Sequence, residues 1–217
     1  MNVNVTAANA KKIKNDMVKR NVVLKEVREW LFTFIGAFVM VMLLNTRVFA
    51  TTLVRQSSMQ DTLFDGQHLL IEKVSYSFGN PSRGDIIVFF ENKYPKNYLD
   101  EIKIFLTDVT EVFKPITEKS NVRLVKRVVG IPGDEVDIQG GSVLINGDEL
   151  TETYTKGETF ERDLKFPVKV PDGKYFVLGD NREISKDSRT FGFIDRNQVN
   201  GKVVFRFWPL RKAGILK

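Results

Sequence analysis

The chain has 217 residues with no cysteine, one histidine, and Lys+Arg 33 against Asp+Glu 27. Disulfides, thiolate nucleophiles, iron–sulfur clusters and Cys-based zinc sites are excluded, and a Ser–His triad would have to run through His68 alone. A hydrophobic content of 42% allows an ordinary core in one or two domains, and a hydrolase of this composition needs a carboxylate or a lysine as its base.

The net charge of +6 is concentrated at the N-terminus. Residues 1–29 hold seven basic side chains (Lys11, Lys12, Lys14, Lys19, Arg20, Lys25, Arg28) against Asp16, Glu26 and Glu29. With Arg47 also set aside, residues 30–217 carry 25 basic and 24 acidic groups, so the charge is no nucleic-acid footprint. Next comes Trp30 to Leu44, fifteen residues without a charge. As a helix they cover about 22 Å of a hydrocarbon core about 30 Å thick. Arg47 can snorkel towards headgroups, which lets the apolar helix extend to Val48 or Phe49. The reading is a cytoplasmic basic tail over 1–29, a single transmembrane anchor over 30–49, and an extracytoplasmic domain over 50–217, oriented by the positive-inside rule. Two alternatives stay open: a secretory signal cleaved after Val48-Phe49-Ala50, and a buried core helix. Thr51 to Gln56 reads as a linker.

From Val54 onward the pattern is mainly β. Short runs rich in Val, Ile and Phe, bounded by Gly, Pro, Asn or Asp, predict strands over His68–Val74, Asp85–Phe90, Arg123–Val129, Glu135–Ile138, Val143–Ile145, Lys174–Leu178 and Gly201–Trp208. Gly140-Gly141 and Asn146-Gly147 are hairpin dipeptides, and residues 135–174 form a smaller β region. Residues 92–122 break the pattern. Leu99, Ile102, Phe105, Leu106, Val109, Val112, Phe113 and Ile116 recur at three-to-four spacing, which predicts an inserted amphipathic helix ending near Pro115. Its stripe is expected to pack on the β body, with docking on the membrane or covering a cleft as alternatives.

Three segments could carry chemistry. Ser57-Ser58-Met59 lies in a loop just after the anchor. In Arg123-Leu-Val-Lys126-Arg127-Val-Val-Gly130, strand alternation sets Leu124, Lys126 and Val128 against Val125, Arg127 and Val129, so one basic side chain faces apolar surroundings. A desolvated lysine loses much of its basicity and becomes a usable general base near neutral pH. The third segment, Gly179-Asp-Asn-Arg-Glu-Ile-Ser185-Lys-Asp187-Ser-Arg189, is a dense polar loop in which Asp187 and Arg189 can pair. Taken one at a time, each segment also reads as an ordinary turn or strand edge.

In order, these segments resemble the type I signal peptidases, the membrane-bound Ser–Lys proteases of bacteria. The Ser-Met-x-Pro-Thr-Leu box is matched by Ser58 to Leu63, Arg-Gly-Asp-Ile/Val-Val by Arg83 to Val88, Lys-Arg-x-x-Gly-x-Pro-Gly-Asp by Lys126 to Asp134, and Gly-Asp-Asn-Arg-x-x-Ser-x-Asp-Ser-Arg by Gly179 to Arg189. The resemblance implies a Ser58 nucleophile, a Lys126 general base, Ser185 orienting the amine, and an Asp187–Arg189 pair supporting the site. It makes the Ser58 N–H an oxyanion donor, with Gln56 a possible second, and has Val54, Met59, Leu63, Leu124 and Val125 line pockets for small substrate residues. It implies no metal and no cofactor. The partners expected are signal peptides of exported preproteins, membrane lipid and the secretion machinery, with no nucleic acid, and the enzyme is expected to act as a monomer. Asp61 stands where the family has proline, and Gln56 where Gly or Ser is usual. These departures keep a second reading open, a weakly active or inactive relative that serves as an assembly or chaperone module.

Overall fold

Residues Val3–Arg47 form one helix, α1, in the computed structural model, which describes residues 3–91, 97–111 and 123–216. No Gly or Pro interrupts the chain before Gly36, so helix propagates through the basic tail as well as the apolar run. The stretch Arg20–Arg47, 28 residues, is long and apolar enough to cross a membrane, and none of its apolar window is buried in protein. Trp30, Phe32 and Phe34 are all about two-thirds exposed, which removes the buried-core-helix alternative. The chain divides into two compact units, residues 1–44 and 45–217.

Helix α1 ends at Arg47, slightly short of the predicted Val48 or Phe49, and the chain passes at once into strand β1 (Phe49–Leu53). Ala50 is buried opposite Ile71 of β2 (His68–Glu72). The predicted linker is therefore corrected: Thr51, Thr52 and Leu53 are ladder residues paired with Leu70, Leu69 and His68. A cut after Ala50 would fall inside this strand, so a cleaved signal ending there would cost the body part of its own sheet.

After the short helix α2 (Val74–Phe78) comes β3 (Ile86–Phe90), whose five residues are all buried. Its odd and even positions serve different cores. Ile86 and Val88 pack with Ala50, Val54, Met59, Leu63, Leu69, Ile71 and Val203, whereas Ile87 and Phe89 pack with Tyr76, Leu124, Val128, Tyr175, Val177 and Ile194. A strand buried on both faces reads as a continuous apolar run, as Ile-Ile-Val-Phe-Phe does.

The predicted amphipathic helix is present as α3 (Tyr98–Glu111), and its continuation to Ile116 and Pro115 lies outside the described residues. Phe105 is buried, but Leu99 and Leu106 are exposed, so the stripe packs only in part. Strands β4 (Arg123–Gly130), β5 (Glu135–Gln139), β6 (Ser142–Ile145), β7 (Asp148–Glu149), β8 (Val168–Lys169), β9 (Lys174–Leu178), β10 (Ile194–Asp195), β11 (Val199–Trp208) and β12 (Gly214–Ile215) follow, with helix α4 (Ser188–Phe191) before β10. The larger sheet runs β1-β2-β11-β3-β4-β9-β10 with β12 on β11, and the smaller runs β7-β6-β5-β8. The dipeptides Gly140-Gly141 and Asn146-Gly147 have positive φ at both residues, as two-residue hairpin turns of the right twist require. A third core, Val129, Val136, Val143, Ile145, Val170, Phe176 and Leu178, joins the smaller sheet to β4 and β9.

Strand β4 positions the site. Among the described residues it pairs with β3 along Arg123 to Arg127 and with β9 from Arg127 onward. His68, the one histidine, stands in β2 with its ring 5.6 Å from that of Phe207.

Candidate active site

Ser58 sits in a single 3-10 turn, Ser57–Met59, anchored by the burial of Met59 in the first core. Leading N–H groups of a helical turn have no partner within it, and the Ser58 N–H is one of these. The turn is held by a residue far along the chain: Asn181 donates its N–H to the Ser58 carbonyl at 3.1 Å and its Nδ2 to the Ser57 carbonyl at 3.3 Å.

Lys126, only 1% exposed, donates from Nζ to Ser58 Oγ across 2.6 Å. Burial pushes its ammonium down to about 8, although Asp187, Asp180 and Glu91 pull upward and Arg189 adds slightly to the fall. Lys126 and Arg127 are both buried, not one of the two as alternation predicted. Arg127 meets Asp180 with Nε at 3.0 Å and Nη2 at 2.8 Å, and its Nη1 donates to the Gly84 carbonyl. Asp180 also accepts from Thr62 Oγ1 at 2.5 Å, so one carboxylate joins the serine segment, the lysine strand and the polar loop.

The predicted Asp187–Arg189 pair is present: Arg189 Nε reaches Asp187 Oδ1 at 2.9 Å and Nη2 reaches Oδ2 at 2.9 Å. Asp187 caps α4 and accepts from the Gly179 N–H at 3.1 Å. Ser185 is fully buried, yet its Oγ makes no hydrogen bond, so the predicted bond to the lysine amine is not formed. Its neighbour is Gly179, where an added Cβ would collide with Ser185 Oγ and with the Ser58 carbonyl.

The expected pocket residues divide between the two faces of the sheet. Val54, Met59 and Leu63 are buried together, with Val125 half-buried against them. Leu124 packs instead with Phe89 and Val128. The Gln56 side chain is exposed and does not cap the serine turn. Asp61 is 72% exposed and faces Lys156 at 4.0 Å, and it is not among the groups acting on Lys126.

Several residues without an expected role tie the site together. Arg182 grips Glu152 with two bonds of 2.6 and 2.8 Å, Thr159 Oγ1 at 2.6 Å and the Gly179 carbonyl at 3.0 Å. Arg83 binds Asp134 at 2.8 Å, and Asp85 accepts from Tyr76 and pairs with Lys202. The motif positions, Thr62 among them, were visible, but the partners Glu152, Thr159 and Lys202 lie in other segments, where nothing local marks them. Among the described residues no group of three or more His, Asp or Glu could hold a metal ion.

Residues 27–208 match the family described as "Signal peptidase, peptidase S26". The chain belongs to this family. With membership comes the enzyme class, a serine peptidase acting as a hydrolase. Signal peptidase IB of Staphylococcus aureus strain COL is 35% identical over 202 residues, covering 85% of this chain and 91% of that protein. Probable signal peptidase I-2 of Synechocystis sp. is 36% identical over 185 residues, covering 85% of this chain and 74% of its own. The crystal structure of a signal peptidase I from Enterococcus faecalis V583 is 33% identical, with a TM-score of 0.38 over 57% of this chain and 96% of that one. In this chain residues of all four sequence boxes meet around Ser58, Lys126 and Asp180.

Proposed function

We propose that this protein is a membrane-anchored serine endopeptidase that removes signal peptides from exported preproteins, with Ser58 as nucleophile and Lys126 as general base. The observation that carries the reading is the 2.6 Å contact between a buried lysine and the hydroxyl of Ser58. Near pH 8 about half of such lysines are neutral. The neutral amine takes the serine proton as Oγ attacks the carbonyl that follows a small residue at position −1 of the substrate. The oxyanion forms against the Ser58 N–H, with Gln56 near enough in sequence to assist. Protonated Lys126 passes its proton to the departing amino terminus of the mature protein, and the neutral amine then activates water to release the signal peptide from Ser58.

The stretch Leu124 to Lys126, which among the described residues pairs with β3 and not with β9, suits an extended substrate, which can add main-chain hydrogen bonds beside β4. Val125, with Val54, Met59 and Leu63 behind it, and Leu124 on the opposite face then offer separate small apolar contacts to alternate substrate side chains. The apolar helix α1, set in lipid with the basic tail in the cytoplasm, keeps the enzyme where signal peptides emerge and raises their local concentration.

The test uses the detergent-solubilised full chain and a preprotein carrying Ala-x-Ala before the cleavage point. Wild type is expected to release the mature protein, and Ser58→Ala and Lys126→Ala to lose at least about a thousandfold in kcat. Processing that survives either substitution would overturn the dyad.

A further inference from the structure

Residues 150–167, which connect β7 to β8, run as a strap along the polar loop 179–189. The strap is bonded to that loop on both sides. The Lys156 N–H donates to the Asp180 carbonyl at 2.7 Å, and the Arg182 N–H donates to the Lys156 carbonyl at 2.9 Å. Glu152 holds the Arg182 guanidinium, and Arg162 donates to the carbonyls of Ser185, Arg182 and Glu183. The strap also reaches the strand of the general base: Arg127 Cζ lies 3.8 Å from the centroid of the Tyr154 ring. The Tyr154 hydroxyl donates to Glu152 Oε1 at 2.8 Å, so the carboxylate that grips Arg182 also orients the ring.

We propose that Tyr154 is a positioning residue for catalysis: its ring holds the plane of the Arg127 guanidinium against Asp180, and through that pair it fixes the charge and packing around Lys126. The inference rests on the reading of Ser58 and Lys126 as the dyad. Arg127 and Asp180 form a nearly fully buried ion pair, the kind of pair whose geometry has to be held because a loosened charge has little water to turn to. A guanidinium stacks on an aromatic face in a way that an ordinary apolar contact does not replace. The charged groups acting on Lys126 are Asp180, Asp187 and Arg189 from the polar loop and Glu91 after β3. Of these carboxylates, Asp180 is the one that Arg127 binds through two nitrogens. When the ring is lost, water reaches the pair, Arg127 offsets Asp180 less well, and the Lys126 ammonium is favoured. The neutral, active amine then needs a higher pH.

The experiment measures kcat and KM for a preprotein carrying Ala-x-Ala between pH 6 and 10, using the solubilised full chain as wild type, Tyr154→Leu, Tyr154→Ala, Tyr154→Phe and Lys126→Ala. The expected result for Tyr154→Leu is an acidic limb moved up by about one pH unit, with kcat at pH 7 down about tenfold and recovered at pH 9. KM is expected to stay within about twofold and Tyr154→Phe to restore the wild-type profile. A Tyr154→Leu profile that superimposes on wild type, or a uniform loss at every pH, would overturn the proposal and leave the dyad standing. Failure of both Tyr154→Leu and Tyr154→Ala to give a cooperative melt would overturn it too, assigning the ring to packing alone. Activity in Lys126→Ala would overturn the dyad and this proposal with it.

Discussion

Lys126 Nζ donates to Ser58 Oγ across 2.6 Å, from a strand residue that solvent scarcely touches. This contact has a direct kinetic consequence. In the proposed dyad the base is the neutral amine of Lys126, and burial pushes the ammonium down to about 8, well below the ordinary lysine value of 10.5. We therefore expect kcat/KM for preprotein cleavage to rise with pH through an acidic limb centred near 8 and to level off above it. A limb near 6.5, where an ordinary histidine titrates, would point to a different base.

The same burial lowers stability. Because the native lysine loses its proton at about 8 and an unfolded one near 10.5, the unfolded chain binds more protons between these values, and stability rises with pH across that window. Below the window the penalty is fully present, and above it the penalty vanishes. Lys126→Met removes it, so this variant is expected to be more stable than wild type at pH 7 by about 1–3 kcal/mol. The gain should shrink towards pH 10.5, and denaturant melts at several pH values measure it.

Gly179 permits the close approach of two loops. A methyl there would press on the Ser58 carbonyl and on the Ser185 hydroxyl together. Gly179→Ala is expected to reduce kcat by at least about a hundredfold, since displacement of a nucleophile by about 1 Å has that scale of effect. Stability should fall by about 1–3 kcal/mol for an overpacked site. A Gly179→Ala enzyme with wild-type kcat would mean that the serine turn does not depend on this packing.

The buried Arg127–Asp180 pair predicts a different signature. Arg127→Ala strands a carboxylate that also receives Thr62, and should cost about 3–5 kcal/mol in urea melts. Arg127→Lys, which retains the charge but cannot make the two-nitrogen grip, is expected to recover only part of that loss.

Asp61 is the position at which the sequence departs from its family's box, and a carboxylate close to a lysine favours the charged form of that lysine. The structure removes the reason: the side chain is largely exposed and faces Lys156. Asp61→Asn should leave the acidic limb of the pH profile in place, and its effect on stability should not exceed the roughly 1 kcal/mol of an exposed pair. Overlaid pH profiles of the two proteins test this.

The sequence was readable where one physical rule acted alone. Short Val/Ile/Phe-rich runs and turn dipeptides predicted the major strands closely, and Gly140-Gly141 and Asn146-Gly147 have little freedom to be anything but hairpin turns. Where rules competed, it was less readable. Phe49 to Leu53 continues an apolar run, and only pairing with β2 makes it a strand in place of a linker. The order of the motifs foretold that Ser58 and Lys126 belong together, but not what holds them there. Asp180 as a hub, Arg182 on Glu152 and Tyr154 on Arg127 are long-range contacts with no period to betray them. Ser185 marks the opposite case: the motif is present, and the bond expected of it is not formed.

The central claim is that Ser58, activated by Lys126, forms a covalent acyl intermediate. The most direct measurement is an acid quench of the solubilised enzyme during turnover of a preprotein, followed by proteolysis and mass spectrometry of the peptide that contains Ser58. The account predicts an ester on Ser58 with the added mass of the signal peptide, absent from Ser58→Ala. The same adduct on another residue, or steady processing by Ser58→Ala, would contradict it.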